Sequence, residues 1–192
     1  MNKFDWDRGF TIDFDLVSGR SQKAETTKRY LSQMKDMYLD SAAAEEILKT
    51  EDPLVYEFYE LGCAEREGDL LFGTTILYPG TVGDEYFMTK GHFHTKIATA
   101  EVYYTLDGEG VMVMENPEGD TIEYPLKKGE ALYVPRRYAH RSVNTGDKPL
   151  IMYFTFAADA GHDYGTIETK GYHKLVLKKD GAPVVVDNPR WK

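Results

Sequence analysis

Thr89-Lys90-Gly91-His92-Phe93-His94, then Ala100-Glu101-Val102-Tyr103-Tyr104-Thr105-Leu106, then Gly129-Glu-Ala-Leu-Tyr-Val-Pro135 leading through Arg136-Arg137-Tyr138-Ala139 to His140 and Asn144: these three stretches decide how the chain is read. Only 5 histidines occur among 192 residues, yet two of them stand at i and i+2. On a strand those positions point the same way, so both imidazoles face one side. Neutral imidazoles so placed make a two-point ligand for a borderline metal. Taken alone, the pair reads equally well as two histidines on a solvated strand face. Glu101 then opens a Val/Tyr/Thr-rich run of strand character.

Outward from these stretches, the chain from Leu54 onward reads as short strands separated by Gly, Pro and Asp punctuation. The runs are Leu54–Tyr59, Leu70–Tyr78, Glu85–Met88, Glu101–Leu106, Gly110–Met114, Thr121–Tyr124, Ala131–Val134, Leu150–Phe156, Tyr172–Leu177 and Val184–Val186. Asp107-Gly108, Glu118-Gly119 and Asp180-Gly181 stand where hairpin turns are expected. Before Leu54, Phe10–Asp15 alternates like a strand. Leu31, Met34 and Tyr38 give Ala24–Asp40 helical spacing, and a second helix is expected near Ser41–Lys49, capped by Asp40 or Ser41. With no repeat or linker, residues 1–192 read as a single domain. Residues 1–53 form an N-terminal strand and two helices packed outside, and 54–192 a β-barrel with C-terminal strands.

Composition sets the class. Lys+Arg 23 against Asp+Glu 32 gives a net charge of −9, which argues against nucleic acid, whose phosphates demand clustered cations. Leu150–Ala158 is the longest apolar-rich stretch, far short of the ~20 residues of a membrane span, and Met1–Arg8 has no signal-peptide core. The expectation is a soluble, cytoplasmic, globular protein. The one cysteine, Cys63, excludes an intramolecular disulfide framework and reads as a small apolar filler. The aromatic load (Tyr 14, Phe 9, Trp 2) suits either a β-rich core with tyrosines at its rim or the wall of a polyol site.

The three quoted stretches together resemble the two signature motifs of the cupin superfamily. The first motif of that family supplies two histidines and a glutamate to a metal, and the second a third histidine. His92, His94, Glu101 and His140 match those positions one by one. Six residues separate His94 from Glu101 where the family more often has three or four, and Arg137 stands where a glycine often follows the proline. The resemblance implies a mainly β, double-stranded β-helix or jelly-roll-like small barrel. Three imidazoles and a carboxylate suit one divalent ion per subunit, Mn2+, Fe2+, Ni2+, Co2+ or Zn2+ alike; Fe2+ is the expectation taken forward with the resemblance.

The flanks narrow the resemblance. Glu51-Asp52-Pro53-Leu54-Val55-Tyr56-Glu57, Thr74-Thr75-Ile76-Leu77-Tyr78-Pro79-Gly80, Asp159-Ala160-Gly161-His162-Asp163-Tyr164-Gly165-Thr166-Ile167 and Val186-Asp187-Asn188-Pro189-Arg190-Trp191-Lys192 look like the cupin-type phosphoglucose isomerases of archaea and some bacteria. The likeness covers nearly the whole chain. It implies interconversion of glucose 6-phosphate and fructose 6-phosphate by a homodimer, a glycolytic and gluconeogenic step. Tyr56, Thr75, Thr89, Gly91, Tyr103, His162 and Tyr164 would line the substrate pocket, the first four near the phosphate. Glu101 would serve as general base, or merely steer a metal-assisted hydride shift.

Three points of tension accompany this. Phe156 stands where the family often has tyrosine, leaving any hydroxyl role absent or filled by Tyr153 or a water. Thr89 is three residues from His92 and so falls on the opposite face of a regular strand, unless Gly91 forms a bulge. No Gly-rich phosphate loop opens a helix, so hydroxyls, backbone N–H groups and Lys90 would hold the dianion. His162 reads equally as functional or as a structural hydrogen-bonder, and His173 as surface. The alternatives are a cupin dioxygenase using the same site with ferrous iron, and a non-catalytic sugar-binding cupin.

Overall fold

The computed structural model describes residues 4–63 and 66–191. The expected domain's ends at 1–3 and 192, and residues 64–65, lie outside the described residues. Thirteen strands and two short helices follow in the order β1 (Glu25–Tyr30), α1 (Ser41–Leu48), β2 (Leu54–Leu61), β3 (Leu70–Leu77), β4 (Thr81–Val82), β5 (Glu85–Tyr86), β6 (Glu101–Asp107), β7 (Glu109–Glu115), β8 (Thr121–Lys127), β9 (Ala131–Val134), β10 (Ala139–Asn144), β11 (Leu150–Ala157), α2 (Gly165–Lys170), β12 (Lys174–Lys179) and β13 (Ala182–Asp187). They make three antiparallel sheets ordered β1-β2-β3-β11-β6-β9, β10-β7-β8 and β13-β12-β5-β4. The class is mainly β, as expected, with antiparallel sheets around a shared core.

Burial explains the arrangement. Tyr56, Leu77, Tyr103, Phe154 and Phe156 from the six-stranded sheet join Met112, Met114 and Leu126 from the three-stranded sheet in one cluster of buried side chains. Each strand therefore presents alternate residues to the space between the sheets, where the functional residues also lie. Opposite faces carry other work: on β2, Glu57 is buried away from that space and accepts from Arg20 (3.0 Å) and the Tyr78 hydroxyl (2.8 Å).

The amino-terminal third differs from expectation. Ala24–Asp40 is not a helix: Glu25–Tyr30 is β1, paired with β2, and two one-turn 3-10 segments follow at Leu31–Gln33 and Lys35–Met37. Leu31, Met34 and Tyr38 are buried as their spacing suggested, because turns of about three residues also bring i and i+3 to one side. Phe10–Asp15 alternates in exposure but joins no ladder; Phe14 lies on Phe72 and Tyr153 of the outer sheet face. The helix at 41–48 forms as expected, with the Asp40 side chain accepting from the Ala43 N–H at 2.9 Å.

Glu118-Gly119 and Asp180-Gly181 do join hairpins, β7–β8 and β12–β13. Asp107-Gly108 does not. β6 pairs with β11 and β9, whereas β7 pairs with β10 and β8, so this dipeptide is the corner where the chain changes sheets. β10, all six residues of it buried, was hidden because Ala-His-Arg-Ser-Val-Asn lacks apolar alternation.

Candidate active site

Glu101 is the first residue of β6 and His140 the second of β10, so they face each other from two different sheets. His92 bridges His140 directly across, and His94 follows two residues on. One ligand atom from each of the four lies within 4.8 Å of all the others. Among the described residues no other such grouping of His, Cys, Asp and Glu occurs.

The donors are arranged for a cation. The Glu101 Oε2 lies 3.0 Å from His140 Nε2 and 3.3 Å from His94 Nε2. The Nδ1 atoms of those rings face the carbonyls of Tyr138 (3.5 Å) and Gly161 (3.3 Å), which places the imidazole protons there. The Nε2 atoms then present lone pairs to a carboxylate with no proton between them. Accordingly Nε2 of His92, His94 and His140 and Oε2 of Glu101 are all buried without a hydrogen-bond partner. Such a convergence of unpaired acceptors is costly in an apolar interior and fits a divalent ion.

Electrostatics agree. Burial, then the neighbouring His140, pushes His92 well below its ordinary value, so it is a neutral ligand. Burial works to raise Glu101, and only positive charge at this point, on His140 and His94 or on a cation among them, holds the carboxyl well below the usual range. Tyr103 is pushed far up by burial and by the neighbouring Glu101 charge.

All seven expected substrate residues line one cavity, together with His92, Glu101 and His140. Tyr56 from β2 and Thr75 from β3 form one wall and Tyr103 from β6 another. The stacked rings of His162 and Tyr164, 5.7 Å apart, close a third, with His162 also 4.4 Å from His92. The tension over Thr89 resolves as a bulge. Met88 pairs with Val143 and His92 with His140, so four steps on one side face three on the other. Gly91, at φ +71°, turns the chain, and Thr89 and His92 both reach the cavity. Thr89 Oγ1 accepts from the Ser142 N–H at 3.1 Å, leaving its own proton free to donate.

Two expectations fail. Lys90 is not at the cavity; its Nζ binds Glu168 at 2.8 Å. Tyr153 does not replace a hydroxyl at Phe156, because alternation on β11 turns it outward onto Phe14 and Phe72. Phe156 itself lines the cavity, its ring 5.1 Å from His94. His173 is half-buried and stacked on Trp191 at 4.3 Å.

Several lining residues escaped the sequence reading: Phe58, Glu60, Ser142 and Phe154. Phe58 and Glu60 follow Tyr56 at i+2 and i+4, so strand alternation alone would have found them. Glu60 is pushed up by burial, by Glu101 and by Glu25.

A family model described as Glucose-6-phosphate isomerase (GPI) matches residues 28–190. A Thermococcus kodakarensis protein named glucose-6-phosphate isomerase is 50% identical over 188 residues, covering 98% of this chain and 99% of that protein. One of the same name from Sinorhizobium medicae is 39% identical over 184 residues, covering 93% and 85%. Among solved structures, an oxalate oxidase aligns at TM-score 0.48 and 17% identity over 59% of this chain and 56% of its own.

Proposed function

The chain belongs to the glucose-6-phosphate isomerase family and is an enzyme of that kind; from this premise we propose that it works through a divalent ion held by His92, His94, Glu101 and His140, with Glu101 as general base. The observation that carries the proposal is the convergence of four unpaired buried ligand atoms on the cavity that the expected substrate residues line. When bound, the ion would supply Lewis-acid polarisation and a template for substrate oxygens.

The chain's own residues do the rest. An aldose–ketose exchange removes a proton from C2 of the aldose and delivers one to C1, while hydrogen moves between the two oxygens. Glu101 takes the carbon-bound proton and returns it to the neighbouring carbon. Tyr103 lines the cavity beside the same carboxyl and would help to orient it. His162 and Tyr164 close the cavity on the side of His92 and limit the entry of water. Tyr56, Thr75 and Thr89 offer hydroxyl donors to the phosphate end, and Gly91 lets the backbone approach.

The same reading takes the whole chain as one cupin domain, ferrous iron as the ion, a homodimer as the working unit and the cytoplasm as its place. No helix among the described residues is long and apolar enough to cross a membrane. The test is isomerisation of glucose 6-phosphate by protein stripped of metal and then reloaded, with metal content measured on the same samples. Activity should vanish with the metal and return with it. Full activity in protein shown to be metal-free overturns the metal role.

A further inference from the structure

We propose that Arg29, on β1 at the rim of the cavity, is the cationic anchor for the phosphate of the substrate; this rests on the isomerase reading. The cavity lining carries two carboxylates, Glu60 and Glu101, and no lysine or arginine. Hydroxyls donate to a dianion but leave its charge uncompensated beside two carboxylates, whereas a guanidinium supplies both hydrogen bonds and countercharge. The nearby cations are engaged elsewhere. Lys90 binds Glu168, and the buried Arg141 donates to the Lys90 carbonyl (2.8 and 3.3 Å) while lying 4.3 Å over the Tyr172 ring.

Arg29 is differently placed. In the β1–β2 register it stands opposite Tyr56, and cross-strand partners share a face, so its side chain lies on the cavity side. Its charge is felt at both Tyr56 and Tyr164. Its hydrogen bond goes to the adjacent Lys28 carbonyl, at 3.2 Å, and it pairs with no carboxylate among the described residues. Lys28, on the opposite face, turns to Glu57.

The register also polarises the rim. Further along the same face Glu25 stands opposite Glu60. Glu60, Gly73, Phe154 and Tyr103 form one row across the sheet, next to the row of Leu71, Phe156 and Glu101. Tyr56 and Arg29 lie four residues away, about 13 Å along the strand. Carboxylates thus surround the end where carbon chemistry occurs, and a free guanidinium fork, suited to phosphate geometry, marks the other. A hexose phosphate fits this polarity in one direction only.

The test uses sorbitol 6-phosphate, which cannot isomerise, and sorbitol, titrated calorimetrically into the full-length, metal-loaded protein. Arg29→Gln should weaken sorbitol 6-phosphate about 10- to 100-fold, the range of a charged hydrogen bond, and raise KM for glucose 6-phosphate in parallel. Arg29→Lys should restore part of the loss, whereas Lys28→Gln, equal in charge change but on the other face, should stay within about twofold. The anchor is overturned if Arg29→Gln binds sorbitol 6-phosphate as the unaltered protein does, if sorbitol weakens equally, or if Lys28→Gln matches it. In each case isomerisation by the unaltered protein leaves the isomerase reading standing. Absence of both isomerisation and phosphate-dependent binding in the unaltered protein overturns both readings.

Discussion

Glu101 meets two demands at one side chain. Its Oε2 completes a cluster of imidazole lone pairs, and its carboxylate faces the cavity where a carbon-bound proton must move. Glu101→Gln keeps the shape and three histidines, so the metal should remain while the base is lost. Turnover should fall about 10²–10⁴-fold, roughly 3–5 kcal/mol of barrier, with KM changing less. Deuterium from solvent appearing at C1 or C2 of the product marks the proton-transfer route, and near-normal turnover in the metal-loaded variant removes Glu101 from the base role. Glu60 gives a second test. Its carboxyl is pushed up by burial and by Glu101 and Glu25, so the folded state holds the proton more tightly than the unfolded chain. That linkage is favourable below the ordinary 4.5 and is lost as pH rises through the folded value. Glu60→Gln should therefore raise Tm near pH 7 and change it little near pH 4; an equal change at both would show that charge is not the cause. The residues legible in the sequence were those whose chemistry is rare and whose spacing is fixed, the histidines above all. Glu60 and Arg29 were not, because a charged residue on a strand looks solvated until its cross-strand partner is known.

At the scale of elements, the barrel strands could be read because their alternation and their turns agree, and the amino-terminal segment could not because its signals conflict. Spacings of three and four at Leu31, Met34 and Tyr38 fit a helix as well as two successive 3-10 turns, and the pairing of β1 with β2 is a long-range event that local pattern does not record. That misreading concealed Arg29. The bulge between Met88 and His92 was legible only as a conflict: Thr89 and His92 could not share a face of a regular strand. Gly91 resolves it in a left-handed conformation, and a Cβ there would lie 2.4 Å from the Tyr172 hydroxyl and 2.9 Å from the His140 carbonyl. Gly91→Ala should cost about 1–2 kcal/mol for the conformation and about 1–3 kcal/mol for the crowding. Urea denaturation of the metal-free variant measures the loss. Metal affinity should fall with it, since the clash bears on the segment that carries His92 and on the strand that carries His140. Unchanged stability and affinity would mean that the bulge relaxes without strain.

At the scale of the whole molecule, the proposed metal site would be a liability in stripped protein and a staple in loaded protein. Glu101 comes from the six-stranded and His140 from the three-stranded sheet, so a cation held by both would tie the two walls of the core together. Ligand that binds only the folded state adds about 2.7 kcal/mol when present at a hundredfold its Kd. For a chain of 192 residues, at roughly 2–4 °C per kcal/mol, reloading should raise Tm by about 5–10 °C. Acid should erode this gain. Burial holds His92 and His162 below the ordinary 6.5 in the folded state. The unfolded chain therefore takes up protons first as pH falls. The stability that these neutral rings contribute is full above about 6.5 and is lost progressively below it. Protons also compete with metal for the three imidazoles, so the Tm difference between loaded and stripped protein should shrink as pH is lowered from 7.5 to 5.5. Scanning calorimetry on both forms across that interval measures it. A difference that is absent at pH 7.5, or that grows on acidification, would mean that the buried imidazoles and carboxylate are satisfied by some arrangement other than a shared cation.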